Sequence, residues 1–168
     1  GNPLSKRMGI LGEFETSDML AKLERDAAEW TRLDPAHPAQ PALHLITTVA
    51  QGDAGKDGKY RMRHGDALTE KVYGWAKERN ALLFLDVQVG LSTIQEELPR
   101  LEPWLSRPDV HFGMDPEFAM KDGTKPDYIS SDCPLGGHHI AQGFEVNGLG
   151  APELNHPLTL VRKAYGLK

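Results

Sequence analysis

Residues 81–120 constrain the fold more than any other part of the chain, because short apolar runs alternate there with an amphipathic segment. Residues 82–89 and 110–114 are apolar runs with the length of buried strands. The segment between them has helical spacing and contains prolines, which end or kink a helix. A strand, a helix and a second strand in this order predict a parallel βαβ unit.

The same alternation extends toward the amino terminus, where residues 8–14 and 43–49 predict two further strands. The predicted order βαβαβαβ is that of an α/β protein made of parallel βα units, and such a run is half of a (β/α)8 barrel. We therefore expect a partial, TIM-barrel-like sheet over residues 8–120. Residues 121–168 are rich in Gly, Pro, Asn and His, and they predict an irregular tail of the same single domain, residues 1–168.

Periodic apolar residues predict amphipathic helices over residues 18–33 and from Asp66 onward. Ser17 is the predicted N-cap of the first helix, and Ser92 that of the proline-interrupted helix. Residues 52–64 are polar and contain glycines, which predicts an exposed loop. Three tryptophans are predicted to face the core from these helices: Trp30, Trp75 and Trp104.

Charge and composition exclude several classes of partner. The formal net charge of -5 argues against nucleic acid, since such partners require a basic surface. No apolar run is long enough to span a bilayer. No hydrophobic signal region follows the amino-terminal residues, so the chain is expected either to be cytosolic or to have lost a leader. The single cysteine, Cys133, excludes an intramolecular disulfide.

A partial barrel leaves a sheet edge with unpaired backbone groups, and such an edge invites pairing with another chain. The tail or a second subunit would have to cover that edge. We therefore expect the protein to associate with itself as a homo-oligomer.

Acidic residues recur at the ends of the predicted strands, where α/β enzymes place catalytic groups. They are Glu13, Glu15, Asp86, Asp115 and Glu117. Paired carboxylates about 5 Å apart suit a retaining glycosidase, and a separation of about 6.5–9.5 Å suits an inverting one. The same acids could instead hold a divalent metal through oxygen ligands, or could simply cap helices and face solvent.

Side chains next to these acids are candidate substrate ligands. Gln88 lies two residues beyond Asp86 and therefore shares its face in a strand. Tyr60 and Arg63 belong to a loop that is expected at the same rim as the acids, and Gln51 precedes that loop. Side chains of these types bind carboxylate, phosphate or hydroxyl groups. The alternative is a solvated loop that only precedes a helix.

Cys133 with His138 and His139 offers zinc ligands, but adjacent histidines do not easily reach one tetrahedral site and no second cysteine is present. A nucleophilic Cys–His pair would need an orienting group, and the nearby sequence offers none at a known spacing. Neither a zinc site nor a thiol nucleophile is therefore predicted here.

Two runs carry a resemblance to a known family: ITTVAQGDAGKDGKYRMRHGDALTEKVY, at residues 46–73, and LLFLDVQVGLSTIQEELPRLEPWLSRPDVHFGMDPEFAM, at residues 82–120. The matching residues are Thr48, Ala50, Gln51, Asp86, Gln88, Gly90, Ser92, Asp115, Pro116 and Glu117. Over about residues 8–120 the chain resembles bacterial, mainly actinobacterial, secreted or lipid-anchored proteins of TIM-barrel type that are related in design to glycoside hydrolases. The resemblance implies a barrel fold and a secreted or cell-envelope location. Residues 127–132 depart from the family pattern, which continues with further βα units.

The sequence therefore predicts a hydrolase acting on carbohydrate, with Glu117 as one catalytic acid and Asp86 or Asp115 as its partner. The predicted ligands of a small sugar or polysaccharide substrate are Gln88, Gln51, Arg63, Glu13 and Tyr60. No cofactor is expected. Two alternatives stay open: a hydrolase whose divalent metal is held by the three catalytic acids, and a non-catalytic binding or assembly domain that dimerises through the open sheet edge.

Overall fold

The computed structural model describes residues 1–120, apart from the side chain of Glu117. The predicted irregular tail lies outside this description, together with Cys133, His138 and His139. Within residues 1–120 helices and strands are mixed along the chain, and the strands form one sheet. The predicted α/β class is confirmed at this level.

The helices are α1 Ile10–Glu13, α2 Thr16–Leu33, α3 Asp66–Glu78, α4 Ile94–Glu97 and α5 Glu102–Leu105. The strands are β1 Ala42–Ala50, β2 Arg61–Arg63, β3 Leu82–Val87 and β4 Val110–Met114. Short 3-10 turns lie at Leu98–Arg100 and at Pro116–Phe118. None of the helices in residues 1–120 combines the length and apolarity that a membrane-spanning helix requires.

The strands lie in the order β2-β1-β3-β4. β1, β3 and β4 run parallel and follow one another across the sheet in chain order, whereas β2 is antiparallel to β1. The prediction of an all-parallel sheet is therefore wrong at this edge. Residues 52–64 were expected to be a loop, but Arg61–Arg63 pairs with the end of β1 and becomes a strand through that pairing.

The prediction of a strand at residues 8–14 is also wrong, because α1 lies there. Gly9 has a φ of 79°, a left-handed conformation that interrupts any extended run. The backbone nitrogen of Met8 donates to the carbonyl of Ser5, so the segment enters α1 from a local turn. A short apolar run does not distinguish a helix from a strand by periodicity alone.

Two predicted helix caps are wrong. α2 begins before Ser17, with Glu15 at its N-cap position. α4 is capped by Thr93, whose Oγ1 accepts from the backbone nitrogen of Glu96 at 3.2 Å. Ser92 precedes that cap and makes other contacts with its hydroxyl. The predicted division of the helix before β4 is confirmed, since α4 and α5 are separate pieces.

The apolar core lies on one side of the sheet, which we call the helix face. Leu45, Leu83 and Leu85 are fully buried there. Each helix adds at least one buried side chain to the same cluster: Leu11, Met19, Leu20, Val72, Ala76, Ile94 and Trp104. Burying side chains of this size contributes about 1.5–3 kcal/mol each. This packing fixes the direction in which every second residue of β1 and β3 points.

Of the tryptophans predicted to face the core, Trp104 is buried and Trp75 packs partly buried against the cluster. Trp30 is 68% exposed, so the prediction for it is wrong. α2 buries Met19 and Leu20 near its start, whereas the side chains near its end are exposed.

Candidate active site

The side of the sheet opposite the helix face carries polar and aromatic side chains. Alternation along β3 puts every second residue there, because the intervening leucines point into the core. Cross-strand register adds residues of β1 and β4 at the same levels. We call this surface the polar face and define it by His44, Phe84, Asp86, Gln88, His111 and Asp115.

Asp86 is the buried centre of the polar face, with 2% of its surface exposed. Its Oδ1 accepts from the backbone N–H of Val87 at 2.8 Å, and its Oδ2 lies 2.9 Å from Nε2 of His44. Gly113 lies opposite Asp86 on β4, and a Cβ there would come within 3.3 Å of Oδ1. A buried carboxylate needs such partners to remain stable. Asp86 is therefore held through both carboxylate oxygens. The absence of a side chain at Gly113 leaves room for them.

His44 is the solvent-facing half of this pair, and its side chain is 51% exposed. The nitrogen of Gly1 lies 3.0 Å from Nδ1 of His44. Because a carboxylate oxygen can only accept, Nε2 is the nitrogen that donates to Asp86, and Nδ1 faces the nitrogen of Gly1. The pair thus joins a buried carboxylate to a half-exposed imidazole.

Gln88 connects the carboxyl ends of the parallel strands. Its Nε2 donates to Oδ2 of Asp115 at 2.8 Å, and its Oε1 accepts from the backbone N–H of Ala50 at 3.1 Å. Asp115 lies two positions beyond the residue opposite Asp86 on the neighbouring strand. A strand spacing of about 4.8 Å and a rise of about 3.3 Å per residue then put the two aspartate Cα atoms about 8 Å apart. The two carboxylates share one face of the sheet.

Three rings form a row below these acids. His44, Phe84 and His111 lie directly opposite one another on β1, β3 and β4. The rings of Phe84 and His111 are stacked, with centroids 5.1 Å apart. The polar face is thus layered along the strands, with rings first, then Asp86, then the bond between Gln88 and Asp115.

Arg63, a predicted substrate ligand, does not belong to the polar face. It pairs with Thr48, which lies opposite Val87, so its side chain points to the helix face. Its Nε and Nη2 both donate to the carboxylate of Glu97, at 2.7 and 2.9 Å. The expectation that Arg63 joins the strand-end acids is therefore wrong, because the period-2 alternation of β2 turns it away from Asp86.

Tyr60 and Gln51 lie in the connection between β1 and β2. Tyr60 has a φ of 53°, and its carbonyl accepts from the backbone nitrogen of Gln51 at 3.0 Å. Nε2 of Gln51 donates to the carbonyl of Asp53 at 3.3 Å. Both residues therefore lie near the end of β1, and the roles predicted for them stay predictions.

Glu13 and Glu15 are not strand-end acids. Glu13 ends α1, and Glu15 occupies the N-cap position of α2. α1 lies near the start of β1, since Leu11 lines a cavity with Ala42. The expectation that these acids converge with Asp86 at the carboxyl ends of the strands is wrong for this reason. Glu117 lies in the turn after β4, and its side chain is outside the described structure.

A second set of charged side chains occupies the helix face near the same strand ends. We call it the charged cluster: Arg61, Arg63, Ser92, Glu97 and Arg100. Glu97 is 0% exposed and lies at its centre. Its carboxylate accepts from Nε of Arg61 at 2.6 Å, from Nε of Arg63 at 2.7 Å and from the Ser92 hydroxyl at 2.6 Å.

Arg100 links this cluster to β1. Its Nη1 donates to Oγ1 of Thr48 at 3.1 Å, and its Nη2 donates to the carbonyl of His64. The backbone N–H of His64 in turn donates to the carbonyl of Thr47 at 2.9 Å. Burial lowers the pKa of Arg100, although Glu97 opposes that shift. The cluster therefore ties the end of β1 to the turn after α4.

The electrostatics of the charged cluster favour a fixed ion-pair network. Burial opposes the charged form of Glu97, but hydrogen bonds from Arg63, Ser92 and Arg61 outweigh it and hold the pKa of Glu97 below its usual range. The bond to Glu97 also raises the pKa of Arg63. A fully buried carboxylate that accepts four hydrogen bonds from three side chains has little room for a further ligand. We therefore assign this cluster a structural role.

Among the described residues, no group of three or more His, Cys, Asp or Glu side chains is arranged to hold a metal ion. The predicted metal set of Asp86, Asp115 and Glu117 includes one side chain outside that description. The metal alternative therefore stays a prediction.

Sequence reasoning missed His44 and Glu97. The signal for His44 was present, because it lies between two core leucines of an alternating strand and so had to face the side of Asp86. The signal for Glu97 was absent, because its partner Arg61 lies 36 residues away and no local pattern joins them.

Comparisons of the chain with protein-family models, with curated proteins and with solved structures return no match.

Proposed function

We propose that the polar face is the catalytic surface of a hydrolase that acts on carbohydrate. The observation that carries this proposal is that Asp86 and Asp115 lie on the same face of the sheet, at the carboxyl ends of neighbouring parallel strands. That end of a parallel sheet is where α/β enzymes bring reacting groups together. A pair of carboxylates is also what hydrolysis of a glycosidic bond requires.

The proposal includes a partial TIM-barrel-like sheet, and two features support it. The parallel strands follow one another across the sheet in chain order, whereas the order reverses at the switch point of a doubly wound fold. The helices all contribute to one apolar cluster on one side of the sheet. In a barrel of this type the helices form the outer ring, so the polar face would correspond to its inner side.

The resemblance to TIM-barrel proteins related to glycoside hydrolases belongs to the same proposal. Of the residues that carry it, Asp86, Gln88 and Asp115 lie on the polar face, where Gln88 donates to Asp115. Glu117 follows β4 by a few residues and is retained as a candidate proton donor.

The test is hydrolysis of a panel of chromogenic glycosides by the full chain and by four variants. Asp86→Asn, Asp115→Asn and Glu117→Gln remove one candidate carboxylate each without a change of size, and Asp26→Asn is the matched control on the exposed surface of α2. Loss of a general acid or base lowers the rate by about 10²–10⁴-fold. We expect such a loss for Asp115→Asn and Asp86→Asn and none for the control. Equal rates in all variants would remove the hydrolase proposal.

The assembly alternative rests on a different observation. β4 is the terminal strand of the sheet, and within residues 1–120 no strand pairs with its outer side. Such an edge is a template for pairing with another chain. If this were the function, Asp115→Asn would leave it unchanged, and sedimentation would give twice the monomer mass.

A further inference from the structure

We propose that a cavity at the amino ends of the parallel strands binds a small molecule through a carboxylate group, which Arg107 and Lys77 hold. The cavity has a volume of about 470 Å³. Pockets that bind small molecules span about 300–1,000 Å³. It lies at the end of β3 and β4 opposite to Asp86 and Asp115, so this site is separate from the polar face.

The segments that enter the strands form the walls of this cavity. Lys77 belongs to the last turn of α3, Ala81 directly precedes β3, and Asp109 directly precedes β4. Gln40 lies before β1, and its Nε2 donates to the carbonyl of Asn80 at 2.8 Å. The start of β1 is thereby tied to the turn after α3, which fixes one wall of the cavity.

Arg107 supplies hydrogen-bond donors to the cavity. Its guanidinium carbon lies 4.2 Å from the ring centroid of Trp104 and 4.5 Å from that of Tyr73. Stacking of this kind covers the faces of the planar group and leaves its N–H groups at the edge. Nη2 lies 3.9 Å from Oε2 of Glu70, which is longer than a hydrogen bond. The two rings therefore orient a guanidinium whose N–H groups can reach a planar anion.

Asp109 positions the second cation. Nζ of Lys77 donates to Oδ2 of Asp109 at 3.2 Å, and the hydroxyl of Tyr73 lies 3.2 Å from each oxygen of the same carboxylate. An ammonium group has three donors, so this contact leaves further N–H groups of Lys77 for a ligand. Tyr73 thus contacts both Arg107 and Asp109 and holds the two sides of the cavity together.

The charges in the lining favour a singly charged ligand. Two cations and one acid give the lining one net positive charge. Glu70 lies outside the lining and is largely exposed, so solvent and salt screen it. A carboxylate matches this charge and also fits the planar fork of an arginine. A phosphate dianion would bring a second negative charge near Asp109, which repels it.

The rest of the lining favours a ligand with an apolar body. Ala81, Leu82 and Pro108 contribute apolar surface beside the charged groups. Pockets for small molecules combine such surface with a few polar groups that fix the orientation of the ligand. The ligand class is therefore a small monocarboxylate with an apolar body.

The experiment titrates the full chain with acetate, butyrate and benzoate at constant ionic strength. NMR follows the backbone amides of Ala81 and Asp109. Benzamide has the body of benzoate without its charge, and inorganic phosphate is the dianionic competitor. The variants are Arg107→Gln, Arg107→Lys and Lys77→Met, with Arg25→Gln on the exposed surface of α2 as the matched control. Urea unfolding checks that each variant is folded.

We expect benzoate to shift both amides in a saturable manner and to bind more tightly than acetate, whereas benzamide should leave them in place. Arg107→Gln should weaken benzoate binding by about 10–100-fold, because it removes a hydrogen-bonded charge partner. Arg107→Lys keeps the charge but loses the fork, so its affinity should lie between those of the wild type and Arg107→Gln. Lys77→Met should weaken binding less than Arg107→Gln does, and Arg25→Gln should match the wild type.

Three results would overturn the inference: no saturable shift with any of the three carboxylates, tighter binding of phosphate than of benzoate, or full affinity in Arg107→Gln. If Arg107→Gln does not fold, unchanged affinity in both Arg107→Lys and Lys77→Met overturns it. None of these measurements depends on the cleavage of a glycoside.

Discussion

The charged cluster and the polar face lie near the same strand ends but on opposite sides of the sheet, and they use their carboxylates differently. In the charged cluster, Glu97 is completely enclosed and accepts from two arginines and a serine. On the polar face, Asp86 is equally buried, but its partner His44 is half exposed. Asp115 is half-buried beside it.

The difference teaches that burial of an acid does not by itself indicate function. Glu97 has guanidinium partners that hold its charge permanently, because arginine does not lose its proton in proteins. Asp86 has an imidazole partner that is half exposed and therefore reaches solvent. The first arrangement encloses its acid completely, whereas the second leaves a buried carboxylate with a solvent-facing partner.

The largest expected effect on stability breaks the charged cluster. Glu97→Gln leaves Arg61 and Arg63 without their common anion, and breaking a buried pair in this way costs about 3–5 kcal/mol. Glu96→Gln is the matched control, since its side chain is 47% exposed and lies 3.7 Å from Lys59. Urea unfolding of both variants measures the difference. If Glu97→Gln lost no more free energy of unfolding than Glu96→Gln, the structural role of the cluster would be wrong.

A smaller effect is expected on the polar face. Gln88→Met keeps the approximate size of the side chain. It removes the N–H that donates to Asp115 and the oxygen that accepts from the backbone N–H of Ala50. Removing two such part-buried hydrogen bonds costs about 1–3 kcal/mol in total. Gln51→Met is the control, because the side-chain nitrogen of Gln51 donates to the carbonyl of Asp53 within its own loop. Equal free energies of unfolding in the two variants would show that Gln88 does not connect the strand ends.

The sequence predicted those parts of the fold whose residues carry a repeating pattern. β1, β3 and β4 are apolar runs that each bury side chains, and α2 and α3 follow periodic apolar positions, so both kinds of element were located to within a few residues. β2 has only three residues, two of them arginines, and forms because it pairs with β1. Such a strand has no local signal, since its hydrogen bonds depend on tertiary contact.

The candidate site was predictable to the extent that alternation within one strand decides it. The common face of Asp86 and Gln88 follows from their spacing of two residues. The contact between His44 and Asp86 depends on the register of β1 against β3, and a shift of one residue would have turned His44 to the core. Arg63 was assigned to the acids because its strand and therefore its direction were not anticipated.

A still smaller effect on the free energy of unfolding is expected when the pH is lowered. Burial and the nearby Arg100 lower the pKa of His64, which ordinarily lies at 6.5. As pH falls below 6.5 the unfolded chain therefore binds a proton before the folded one does, and stability contributed by neutral His64 is lost. Glu97 adds a loss only below its ordinary value of 4.5, since its folded pKa is also lowered.

Urea unfolding at pH 8 and at pH 5.5 measures the contribution of His64. The wild type should lose stability over this interval, and His64→Gln should lose less of it, whereas Glu97→Gln should keep the same dependence. If the wild type and His64→Gln lost the same free energy of unfolding between these pH values, His64 would bind a proton equally well in the folded and unfolded states.

The smallest effect is expected where the sequence pattern and the structure disagree. Trp30 lies at a periodic apolar position of α2 but is 68% exposed. Trp104 is 6% exposed, and its ring centroid lies 6.1 Å from that of Tyr73. Trp30→Ser should change the free energy of unfolding by about 0.5 kcal/mol or less, because substitutions of exposed side chains rarely do more. Trp104→Ala should cost about 3–5 kcal/mol. A loss of that size at Trp30 would mean that another surface covers the end of α2 in solution, and sedimentation of the two variants would then tell whether that surface is a second copy of the chain.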